Sequence, residues 1–189
     1  MAIKTFGTNE LLTSSDTNTF LANGGLVCLS KATVTGTTNV FNNIFPAGVY
    51  TNFRVNMDIA SGVTATNNLQ FITSGGVATA TGYHYSGLTL TPGVTTNIST
   101  NVAGGNTSFI AFCTSGASIS SFVIADFFLP NTTSAKKGFI SQATSRQTNA
   151  AGSTTMYGGN PSATQFAGFQ IVSSSTATIS ITVYGYRNV

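Results

Sequence analysis

From Leu26 onward, apolar and polar residues alternate along much of the chain. Phe53, Val55, Met57 and Ile59 interleave with Asn52, Arg54, Asn56 and Asp58. A period of two places one set on a buried face and the other in water, which predicts a strand. Ile179, Ile181 and Val183 alternate with Ser180, Thr182 and Tyr184 in the same way. The stretch Ser121 to Leu129 is apolar on both faces except at Asp126, the pattern of a central strand covered on both sides. Further strands are predicted at Val27–Val34, Asn39–Phe45, Leu69–Thr73, Tyr83–Leu90, Ser108–Cys113, Gly138–Ala143 and Ala167–Val172. Turn signals punctuate them: Pro46-Ala47-Gly48, Gly75-Gly76, Pro92-Gly93, Gly104-Gly105 and Gly158-Gly159-Asn160-Pro161. About ten short strands with polar, glycine-rich turns predict an all-β fold, an antiparallel, jelly-roll-like β-sandwich over residues 26–189.

Residues 1–25 follow a different pattern and read as an N-terminal arm. Thr13 is placed to cap a short helix over Ser14 to Ala22, with Asp16 as the reciprocal partner and Gly24-Gly25 as the stop. Such a helix is marginal alone and needs a surface to pack on, either its own domain or a neighbouring subunit. Phe6, Leu11, Leu12, Phe20 and Leu21 are the apolar residues that would make this contact, and they define a candidate assembly arm.

Composition narrows the chemistry. Charged residues make up 6% of the 189, against about 25% in an ordinary soluble chain. The 14 Phe and 6 Tyr argue for a packed interior and against charge-driven disorder. The acid–base repertoire is Glu10, Asp16, Asp58, Asp126, His84, Cys28 and Cys113. That is thin for an enzyme cleft, and no metal-ligand spacing or GxSxG elbow occurs; the expectation is a non-enzyme with no cofactor and no metal. The seven Lys and Arg are scattered, which argues against a nucleic-acid partner. Phe122 to Leu129, the most apolar run, is too short to span a bilayer, and Ala2-Ile3-Lys4-Thr5 does not begin a signal peptide. Synthesis in a cytoplasm and no membrane association are expected. A surface of uncharged hydroxyls and amides has little charge repulsion to keep copies apart, which suits life inside an assembly.

Three local features invite a functional reading. Tyr83 and Tyr85 flank His84, so on a strand the tyrosines face one way and the histidine the other. They are either a glycan-facing surface or cross-strand aromatic packing. Asp126, alone in an apolar strand, reads as a carboxylate satisfied by a turn, by backbone amides or by an arginine such as Arg54 or Arg146, with catalytic use in a cleft as the alternative. Lys136-Lys137 reads as a solvated loop, or as a contact to an acidic neighbour. Cys28 and Cys113 read as small buried hydrophobes, with a single disulfide as the alternative.

Two segments and a middle element carry a family likeness. The run from Phe6 to Asn23, with Glu10-Leu11-Leu12-Thr13-Ser14-Ser15-Asp16-Thr17-Asn18 at its centre, resembles the opening of tailed-phage virion proteins. These are marine and cyanobacterial phage proteins of the tail-fibre or minor structural type. The end, Ile179-Ser180-Ile181-Thr182-Val183-Tyr184-Gly185-Tyr186-Arg187, resembles the finish of the same group, and Phe45 to Val55 resembles an element of its middle. The resemblance implies an N-terminal attachment segment and a displayed β-sandwich, built into a homo-oligomer, with trimers the usual solution. It implies a virion protein that contacts other virion proteins, on the tail or on the major capsid protein. A fibre-like or adhesin component would touch host surface polysaccharide; a capsid decoration or cement protein would clamp the shell.

Overall fold

The computed structural model describes residues 25–78, 82–90, 98–107, 110–115, 120–133, 137–147, 150–160 and 164–187. Ten strands order them: β1 Leu26–Phe41, β2 Tyr50–Ser61, β3 Ala65–Ile72, β4 Tyr83–Leu90, β5 Ile98–Thr107, β6 Ile110–Ser115, β7 Ser121–Phe128, β8 Lys137–Gln147, β9 Ala150–Asn160 and β10 Gly168–Arg187. The chain is all-β, and no helix occurs among the described residues. The helix expected over 14–22 and the arm residues Phe6, Leu11, Leu12, Phe20 and Leu21 lie outside them.

All ten strands belong to one antiparallel sheet, in the order β5-β4-β9-β8-β7-β2-β10-β3-β6, with β1 on the second edge of β10. The 20-residue β10 organises it. One side of β10 pairs with β1 from Leu26↔Tyr186 to Phe41↔Phe169. The other side takes β2 as far as Ser61↔Ala177 and then β3 from Asn67↔Ser173 onward. Thus β2 and β3 run end to end, interrupted around Gly62-Val63-Thr64, and β6 and β7 repeat the arrangement beside them.

Burial follows the period-two pattern. Phe53, Val55, Met57 and Ile59 are buried, as are Ile179, Ile181 and Val183. The inner face carries an aromatic core. Phe127 on β7 stacks on Phe169 of β10 at 5.4 Å and meets Phe71 of β3 edge-on at 6.0 Å. Phe71 also stacks on Phe166 at 4.9 Å and on Tyr83 of β4 at 6.1 Å. Since β3 and β4 are distant in the strand order, the sheet curls until these parts of its inner face meet around one core.

Three expectations need correcting. The strand pairs expected at the two ends are single long strands, β1 and β10, and the turn signals at Gly104-Gly105 and Gly158-Gly159 lie inside β5 and β9. The stretch over β7 is covered on one face alone: Val123, Ala125 and Phe127 are buried, whereas Phe122 and Phe128 are exposed. The bare outer face determines where a site can form.

Candidate functional site

Register places the outward-facing side chains of four adjacent strands in rows. Asp126 of β7 lies opposite Ile140 of β8, which lies opposite Tyr157 of β9, then Ser86 of β4. One pleat repeat along, the row is Ile124, Gln142, Thr155 and Leu88, and beyond it Phe122, Thr144 and Ser153. In the other direction Phe128 and His84 flank two glycines, Gly138 and Gly159. Tyr157 is 51% exposed and Phe122 47%; Phe128, Ile140 and Leu88 are exposed as well. All exposed aromatic rings among the described residues lie on this face. A groove of about 330 Å³ runs across it, lined by Phe122 and Ile124 on one side and by Gln142, Thr144, Ser153 and Thr155.

At the edge of this surface sits the clearest electrostatic feature of the fold. Arg54 of β2 and Asp126 of β7 are direct cross-strand neighbours. The Arg54 Nε and Nη2 groups each donate to one carboxylate oxygen of Asp126 at 2.8 Å. The Tyr186 hydroxyl of β10 donates to Oδ1 at 2.7 Å, and the guanidinium lies 5.8 Å from the Tyr186 ring centre. Partial burial pushes the Asp126 carboxyl up, but the hydrogen bonds from Arg54 and Tyr186 outweigh it and hold the group below the usual carboxylate range. The same contact raises Arg54 further, and burial together with the bond to Asp126 pushes Tyr186 up to about 12. The pair is locked and mutually neutralised. A carboxylate engaged in this way is a structural clamp and a poor proton donor.

The structure divides the sequence-predicted trio. His84 points to the outer face and is exposed, whereas Tyr83 and Tyr85 face inward. Tyr83 is fully buried and its hydroxyl accepts a hydrogen bond from the Phe71 amide at 2.8 Å, so it cannot present a ring to a glycan. Tyr85 is half-buried against the core. Strand alternation fixed which residues share a face, but not which face is the core.

Lys137 is also not in a solvated loop: it opens β8, is 3% exposed, and places Nζ 5.6 Å from the Phe166 ring centre. Burial lowers its pKa. The cysteines are both free, Cys28 exposed on β1 and Cys113 buried on β6. Among the described residues no three His, Cys, Asp or Glu side chains converge as a metal site would require.

No protein-family model matches the chain, and no curated protein does. Among solved structures there is a match to one titled "Structure of infectious bursal disease virus Gx strain". It is 10% identical over 87% of this chain and 36% of that one, with a TM-score of 0.12. This chain therefore spans about a third of the matched chain's length, and a likeness at that level carries no argument.

Proline turns, paired charges and buried tyrosines gave no hint of the outer surface in the sequence. The available signal was Ser121 to Leu129, whose second apolar face has no cover in the folded chain. Chemically, exposed rings beside columns of hydroxyl and amide groups suit contact with an uncharged, polyhydroxylated or mixed surface.

Proposed function

We propose that this chain is a non-enzymatic structural protein of a tailed-phage virion, a fibre-like or adhesin component displayed for contact with the host surface. In this reading the curled sheet is a jelly-roll-like sandwich, residues 1–25 attach it to other virion proteins, and it works as a homo-oligomer, a trimer. The supporting observation is the outer face of β7, β8, β9 and β4, which gathers the exposed aromatic rings among hydroxyl-bearing side chains. The family-like segments add to it. Arg54, from the middle element, and Tyr186, from the ending, both bond Asp126, so these segments brace the sheet beside that face. Weak contacts repeated over several copies would supply the avidity.

Purified full-length protein should bind host cells or their extracted surface polysaccharide when oligomeric. No binding to either would refute the adhesin role. A second reading, capsid decoration by docking on the major capsid protein, draws on the apolar content of the same face, where Phe122, Phe128, Ile140 and Leu88 are exposed. Copy number separates the two: hundreds of copies on the shell in a cryo-EM map of the particle mean decoration, and a few dozen or fewer at the tail mean a fibre component.

A further inference from the structure

We propose that the groove across β8 and β9 is a binding site for a strand of uncharged polysaccharide. The proposal rests on the host-contact reading above and names the surface that would perform it. The argument starts from how the groove is built. One wall is apolar, formed by Phe122 and Ile124 of β7. Its floor is made of short polar side chains, Gln142 and Thr144 of β8 with Ser153 and Thr155 of β9. Leu88 stands beyond Thr155 on β4, three strand intervals from β7, or about 14 Å at a strand spacing near 4.8 Å. Ile140 and Tyr157 close one end, with the Tyr157 ring 51% exposed.

A sugar strand has the matching chemistry. Its C–H faces are apolar and lie well on aromatic and aliphatic walls. Its hydroxyls seek donors and acceptors, which three hydroxyl side chains and one amide supply from the floor. The groove volume, about 330 Å³, falls at the lower end of the range for small-ligand sites.

Charge selects within that class. On the outer face, Arg54 and Asp126 neutralise each other at 2.8 Å. Asp58 stands directly across from Phe122 and would repel a polyanion. An uncharged glycan meets no such penalty.

The test uses full-length protein on a printed array of neutral and acidic bacterial polysaccharides, together with Phe122→Ala and Thr155→Val. Both side chains sit on the surface, and a thermal melt checks that each variant folds. We expect binding to neutral spots, weakened about 3- to 10-fold by either variant, the scale of one lost hydrogen bond or packing contact. Neutral binding untouched by both variants, or binding to acidic spots alone, overturns this site while leaving the host-contact reading in place. Binding to nothing on the array and to no host cells overturns both. A change of oligomeric state in Phe122→Ala, seen by light scattering, would make the groove an interface between copies and also overturn the proposal.

Discussion

The Tyr83 hydroxyl and the Phe71 backbone amide are joined by a 2.8 Å hydrogen bond, and the two rings stack 6.1 Å apart. Among the described residues β6 accompanies β3 as far as Leu69, and beyond that point the Tyr83 hydroxyl of β4 is the acceptor for the Phe71 amide. Tyr83→Phe keeps the ring and leaves a buried amide without a partner, at a cost of about 1–3 kcal/mol. Tyr83→Ala also opens a cavity and should cost about 3–5 kcal/mol. Urea midpoints of the two variants check the order; a Tyr83→Phe midpoint equal to that of the wild type would show that the hydroxyl contributes nothing.

The Asp126 cluster makes stability depend on pH at both ends. The carboxyl titrates below its unfolded value of about 3.9, so its contribution is complete above that pH and is lost as pH falls through the lower folded value. Tyr186 is the reverse. With its folded pKa raised to about 12, its contribution is complete below about pH 10 and declines as pH rises from 10 to 12. Both groups are partly exposed, so the effects are modest, with Asp126→Asn costing about 1 kcal/mol at pH 7. Melting temperature against pH should lose part of its acid and alkaline slopes in Asp126→Asn; an unchanged profile would refute the clamp.

Gly158 permits the inner packing of β9. A Cβ there would lie 2.6 Å from Cε1 of Phe139, 2.7 Å from the His84 carbonyl oxygen and 2.9 Å from Cβ of Tyr85. Two of these three neighbours are backbone or backbone-attached and cannot swing away. Gly158→Ala should destabilise by about 1–3 kcal/mol through overpacking. Gly138→Ala, whose added Cβ would have no neighbour nearer than 3.8 Å, is the control and should cost clearly less in the same denaturation assay.

The two thiols should differ in reactivity. Cys28 is exposed, whereas Cys113 is buried and its pKa is pushed up to about 12 by burial, partly offset by the Asn67 hydrogen bond. A thiol reagent at pH 8 should label one cysteine per folded chain quickly and the second only on unfolding. Cys28→Ser should abolish the fast phase; two fast equivalents in the wild type would contradict the burial of Cys113.

Much of the fold could be read directly where burial is one-sided. The alternation in Phe53 to Ile59 and Ile179 to Val183 identified strand and inner face together, because one face of each strand packs on the core. Strand continuity could not be read. Ser173 to Thr176 looks like a loop by composition, yet β10 runs through it as an irregularity in the pairing with β1, between Ala177↔Gly36 and Val172↔Thr38. An acid such as Asp126 in an apolar strand calls for a partner, and Arg54 is one that the sequence offers, but their register is set by pairing across 72 positions of sequence. The outer groove was hidden for the same reason: Phe122, Gln142 and Thr155 become neighbours only through two successive strand pairings.

Leu26 pairs with Tyr186, and β10 simultaneously touches β1, β2 and β3. Strand β1 therefore waits, with its apolar face uncovered, for a partner made after all the other strands. Such long-range closure is slow and leaves intermediates prone to sticking together. It also works as a length check: a chain that stops before Gly168 lacks the strand that joins β1 to the sheet and cannot present the finished surface. A copy cut short in this way has nothing to join β1 to β2 and β3, whatever its other strands do.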